Sequence, residues 1–184
     1  MAIFIVIARA VVFDAAGCTA GPTAKQVAHF YSEQSMSEEI LKVTVDKFTF
    51  LAPKGLFYSD AGVWIKLEGN RARLGLSDFA QQQNGDVAFA NIKPVGTALE
   101  SGDEFAEIET VKVDSTIPSP LKGTIVESNA SLAKAAELIN LDPYGQGWLA
   151  VVELADWDND RAHLLEADAY LDLVKDQAEA EMRK

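Results

Sequence analysis

The sequence predicts a mostly β domain with short helices, and three observations carry that prediction. Between residues 43 and 154 apolar residues alternate over short runs, glycine and proline interrupt those runs at close intervals, and sustained helical spacing begins only beyond residue 154. Alternation marks strands half-buried on one face, and clustered breakers mark the turns between them.

The elements follow in order. Val63-Trp64-Ile65-Lys66-Leu67, the turn Glu68-Gly69-Asn70 and Ala72-Arg73-Leu74-Gly75-Leu76 read as a hairpin. Ser77 is placed to cap a short helix over Asp78–Gln83, which Asn84-Gly85 ends. Residues 86–92 alternate as a strand should, until Pro94 and Gly96 break it. Glu104–Thr110 and Val113–Ile117 form two extended runs that meet near Val111-Lys112. After Pro118-Ser119-Pro120 and Gly123 comes a strand over residues 124–127, then one helix over Ser131–Ile139 capped by Asn129 or Ser131. Asp142-Pro143-Tyr144-Gly145-Gln146-Gly147 is a loop, and Trp148–Leu154 is a further strand.

Residues 155–184 differ in kind: Leu164, Leu171, Val174, Ala178 and Met182 recur near helical spacing, and nine acids stand against four bases. The segment reads as an acidic amphipathic helical tail folded back on the β domain; a helix that docks on a partner is the sharper alternative. The expected division is therefore an extension over 1–42, the β domain over 43–154 and the tail over 155–184. Met36-Ser37-Glu38-Glu39 would make a good soluble start, so residues 1–35 read as dispensable or mis-assigned. The apolar stretch Ala2–Phe13 is too short to span a bilayer and lacks the basic flank of a signal peptide.

Composition narrows the function. A net charge of −12 argues against nucleic acid or an anionic membrane as main partner. It suits repeated docking on basic patches of larger enzymes, and solubility alone explains it equally well. One cysteine, Cys18, and two histidines, His29 and His163, argue against a structural zinc site, and they leave nucleophile–base chemistry short of parts. The chain is therefore expected to work without an active site of its own. Lys112 stands at the junction of two extended runs, between Val111 and Val113, where a tight turn presents an amine to solvent and to a modifying enzyme. Local pattern alone does not separate it from an ordinary surface lysine, because the turn lacks the Asn-Gly or Asp-Gly of a two-residue hairpin.

Glu109-Thr110-Val111-Lys112-Val113 resembles the lipoyl-attachment motif of the glycine cleavage system H protein family. The likeness continues in register through residues 75–81, 85–89 and 94–96, and through Val126-Glu127-Ser128-Asn129, Glu137-Leu138-Ile139-Asn140 and the loop 142–149, covering roughly residues 48–153. It implies a barrel-sandwich hybrid, the flattened β barrel of lipoyl domains, with lipoate bound covalently to Lys112. Gly96 and Gly123 stand sixteen before and eleven after that lysine, as lipoyl proteins generally have them, and are expected to allow positive φ at turns that aim the hairpin. Glu109 matches the acid read during lipoylation; as a strand residue it would simply be solvated. Lys93 and Lys122 lack this context, and valines in place of flanking methionines speak against a biotinyl carrier.

The implied function is a non-catalytic carrier that shuttles an aminomethyl group on lipoyl-Lys112 from glycine decarboxylase to an aminomethyltransferase. Dihydrolipoamide dehydrogenase reoxidises the arm, and a lipoyl ligase or transferase installs it. The expected location is the cytoplasm, or the mitochondrial matrix in a eukaryote. The attachment site departs from the family's common Glu-Ser-Val-Lys-Ala, continuing here as Val113-Asp114-Ser115. Two further features depart from the family pattern: Gly62-Val63 replace the usual His-Glu before Trp64, and the tail is expected to exceed the usual chain end. These two motivate a second reading, an H-protein-like lipoate carrier in another pathway such as heterodisulfide-reductase-like sulfur oxidation. A third is a binding module that is never lipoylated.

Overall fold

The computed structural model describes residues 39–183. Residues 1–38 of the extension, with Cys18, His29 and Met36, therefore lie outside the described residues. Strand β1 (Ile40–Val45) pairs antiparallel with β2 (Phe48–Pro53), so strand structure begins inside the segment read as an extension. There follow β3 (Phe57–Tyr58), β4 (Val63–Glu68), β5 (Arg71–Leu76), α1 (Asp78–Asn84), β6 (Val87–Ile92), β7 (Ala98–Leu99) and β8 (Glu104–Thr110). Then come β9 (Asp114–Pro118), β10 (Gly123–Ser128), a 3-10 turn (Ala130–Ala133), α2 (Leu138–Leu141) and β11 (Trp148–Leu154). The chain closes with α3 (Trp157–Arg161), β12 (Leu165–Glu166) and α4 (Ala167–Glu181).

The strands make three antiparallel sheets: β1-β2, the seven-stranded β12-β3-β4-β5-β11-β10-β7 and the three-stranded β6-β8-β9. The mostly β architecture with short helices and a C-terminal helix is as the sequence predicts. The sheets are flattened layers and do not close into a barrel. The two larger sheets share one core, in which Val63, Ile65, Leu74 and Val152 meet Phe105, Ala106, Ile108 and Ile117. Burying each large aliphatic side chain there contributes about 1.5–3 kcal/mol.

A second core forms under α4, whose Tyr170, Leu171, Val174 and Ala178 pack with Phe50, Tyr58 and Trp64. Tyr58 and Tyr170 stack with centroids 4.4 Å apart, and Phe50 meets Phe79 edge-on at 5.0 Å. The apolar face of the tail helix is thus taken up within the domain, which removes the partner-docking alternative for that face. Met182, which lies past the end of α4, is 47% exposed and does not join that face.

Local chemistry explains the joints. The Ser77 hydroxyl accepts from the Ala80 amide at 3.1 Å, capping α1, and shares a 2.6 Å hydrogen bond with the Tyr170 hydroxyl. The loop 142–147 acts as a clamp: the Trp64 indole donates to the Pro143 carbonyl at 2.9 Å, and the Tyr144 hydroxyl donates to the Leu51 carbonyl at 2.6 Å. The single helix expected over Ser131–Ile139 is instead the 3-10 turn and α2, with Asn129 as the cap. Leu132, Ala136 and Ile139 still reach the core, so helical spacing is satisfied by a broken path.

Burial pushes the Tyr170 hydroxyl up to about 12, and burial raises Tyr144 too. The folded state favours the neutral phenol, whereas an unfolded tyrosine ionises near 10. The stability tied to Tyr170 is therefore full below about pH 10 and lost as pH rises toward about 12. Urea melts between about pH 9 and 11.5 should show falling stability, and Tyr170→Phe should flatten that fall. Equal slopes for the two proteins would contradict it.

Candidate functional site

β8 and β9 form a hairpin whose inner face is anchored in the main core through Ala106, Ile108 and Ile117. Pairing is alternate, so the opposite face looks outward. There Phe89 of β6 lies opposite Glu109, and Glu109 lies opposite Asp114. Phe89 is 67% exposed, and both acids are exposed. Like charges set opposite one another across a ladder repel, and this edge of the hairpin carries a local negative field.

Lys112 lies at the tip with its side chain exposed, between Val111 at 89% and Val113 at 50% exposure. Among the described residues no hydrogen bond or ion pair holds its ammonium. Lys122 is different: its ammonium lies 2.9 Å from Glu100, whose hydrogen bond holds it in the charged form. A brace fixes the hairpin near its tip: the Ser115 hydroxyl donates to the Asn84 side-chain oxygen at 2.6 Å, and Asn84 in turn donates to the Ala80 carbonyl at the end of α1.

The two glycines expected to aim the hairpin lie at neither end of its turn. Each sits where the chain crosses between the three-stranded and the seven-stranded sheet, Gly96 between β6 and β7 and Gly123 at the start of β10. Gly96 has φ +93°, as expected, with open space where a side chain would go. Gly123 does not have a positive φ. It lies in a paired strand against Leu99 and Leu154, and a Cβ there would stand 2.2 Å from the Glu153 carbonyl oxygen. Its requirement is close backbone approach, not turn conformation.

Sequence reasoning missed two supports of the hairpin, the Thr110 hydroxyl and the Ser115–Asn84 bond. A hydroxyl residue immediately before a turn that lacks glycine is the signal for the first; the second joins residues too far apart for local pattern to show.

An amine that projects from a braced β hairpin, without an ion pair among the described residues and flanked by apolar side chains, fits covalent attachment of an acyl arm. The chain also matches the family described as glycine cleavage H-protein over residues 56–177. The chain belongs to that family. It is 43% identical over 122 residues to a glycine cleavage system H protein of Bacteroides thetaiotaomicron, covering 66% of this chain and 96% of the relative. It is 36% identical over 141 residues to a mitochondrial H protein of Arabidopsis thaliana, covering 77% of this chain and 90% of that one. A solved H protein from Mycobacterium marinum superposes with a TM-score of 0.57 at 28% identity, covering 65% of this chain and 95% of that one.

Membership supports a lipoyl-carrier role in glycine cleavage. The match also corrects the view of the tail, since it runs through most of α4 and so counts that helix within the family pattern. Among the described residues no group of histidine, cysteine and acids is arranged for a metal, and no helix is long and apolar enough to cross a membrane.

Proposed function

We propose that this chain carries an aminomethyl group between glycine decarboxylase and the aminomethyltransferase of glycine cleavage, on lipoate joined in amide linkage to Lys112. The observation that carries the reading is the exposed Lys112 amine, unpaired among the described residues, on a braced hairpin in a chain of this family. The bound lipoate would supply the dithiolane that accepts and releases the one-carbon unit and is reoxidised by dihydrolipoamide dehydrogenase. The chain's own residues present and support that group and perform no bond-making themselves. Glu109, beside the tip, offers the carboxylate a lipoyl ligase or transferase reads. Gly96 and Gly123 hold the two crossovers at the base of the hairpin's sheet. The place of work is the cytoplasm, or the mitochondrial matrix in a eukaryotic source.

The test is reconstitution: lipoylated full-length protein, glycine decarboxylase, glycine and labelled bicarbonate. Exchange of label into glycine that requires the lipoylated chain is the expected result. Lipoylation without exchange would remove the glycine-cleavage assignment and favour the second reading, a carrier for another pathway such as sulfur oxidation. Gly62-Val63 before Trp64, where the family usually has His-Glu, is the feature that favours that alternative.

A further inference from the structure

The turn that presents Lys112 contains neither glycine nor asparagine. Two-residue hairpin loops ordinarily use turns with positive φ at one or both central residues, which β-branched side chains resist. Val111 and Lys112 keep negative φ; Asp46 is the described non-glycine residue with a positive value. Something else must hold this turn.

The Thr110 side chain does so. The Thr110 amide donates to the Val113 carbonyl at 3.0 Å, as strand pairing requires. The Val113 amide donates to Thr110 Oγ1 at 3.1 Å, and the Lys112 amide donates to the same oxygen at 3.2 Å. The hydroxyl donates in turn to the Val113 carbonyl at 2.9 Å. A threonine hydroxyl has one donor and two acceptor positions. All three are engaged by the two residues that follow Val111, so the hydroxyl replaces the backbone geometry a glycine would have supplied.

We propose that Thr110 is a positioning residue for acylation of Lys112. Its hydroxyl fixes the turn so that a modifying enzyme meets the amine in one presentation. In the step it serves, Nζ forms an amide with the carboxyl carbon of an activated lipoyl donor. The activating group departs with the electron pair of its bond to that carbon, and the amine's proton passes to solvent. The inference rests on the carrier reading above.

The test uses full-length unmodified protein with a lipoyl ligase and an activated lipoyl donor. Thr110→Val keeps the shape and removes the hydroxyl; Thr110→Ser keeps the hydroxyl. The valine variant should lower kcat/KM for acylation on the order of tenfold, the scale of a lost net hydrogen bond or two, and serine should restore it to within about threefold. In the unaltered protein the Val113 amide should exchange slowly with solvent, a readout that does not depend on any variant folding. Wild-type acylation of the valine variant, a loss that serine does not restore, or unprotected Val113 exchange would each overturn the role of Thr110. Failure of the wild-type chain itself to be acylated would instead overturn the carrier reading.

Discussion

Arginine at position 112 should leave the fold untouched and abolish carriage. The side chain is exposed and has no partner among the described residues, so Lys112→Arg should change unfolding free energy by less than about 0.5 kcal/mol. Arginine keeps the positive charge and much of the reach, but its guanidinium stays protonated and offers no nucleophilic amine. Acylation by a lipoyl ligase should fall to background, and label exchange into glycine with it. Lys93 and Lys122, each replaced in turn, should leave both readouts at wild-type level. The contrast has a structural basis for Lys122, whose ammonium is already held by Glu100. Residual acylation of the arginine variant would show that another amine is the attachment point.

The second large effect falls on stability. In Gly123→Ala the new methyl would stand 2.2 Å from the Glu153 carbonyl oxygen and 2.6 Å from a Val152 methyl. β10 is paired on both sides at this residue, so neither strand can move away without breaking its ladder. Overpacking of this kind costs about 1–3 kcal/mol, and here the upper end is expected because the obstructing atom is backbone. At roughly 2–4 °C per kcal/mol for a domain of this size, Tm should fall by about 6–12 °C. Gly96→Ala meets open space and bears only the strain of its positive φ, about 1–2 kcal/mol. Thermal melts of the two variants should therefore rank Gly123→Ala below Gly96→Ala. The reverse order would mean that turn conformation, not close approach, governs both crossovers.

These two glycines also show how far the sequence could be read. Their spacing about Lys112 singled out two residues that stand at the sheet crossovers, but spacing carries no backbone angle, and Gly123 meets a different physical need from the turn conformation expected of it. The hairpin of β4 and β5 and the Ser77 cap were legible because alternation and capping are local properties. Strands β3, β7 and β12 are two residues long and leave no period to detect. Leu132, Ala136 and Ile139 have helical spacing, yet their path breaks at Lys134, because burial in the shared core constrains where side chains point more than how the backbone travels between them. Within the candidate site, the exposed lysine and the neighbouring acid were visible in the motif. The support was not: Asn84 and Ser115 come together only when α1 packs beside β9. The hydroxyl of Thr110 is local in sequence, but its three hydrogen bonds become evident only once the turn is seen to lack positive φ.

The central claim is that Lys112 is the residue that bears the cofactor. Peptide mapping by mass spectrometry of the protein isolated from its own cells under lipoate-replete conditions tests it most directly. A lipoyl mass increment confined to the peptide and fragment ions containing Lys112 is the predicted result. An unmodified Lys112, or the increment on a different lysine, would contradict the account.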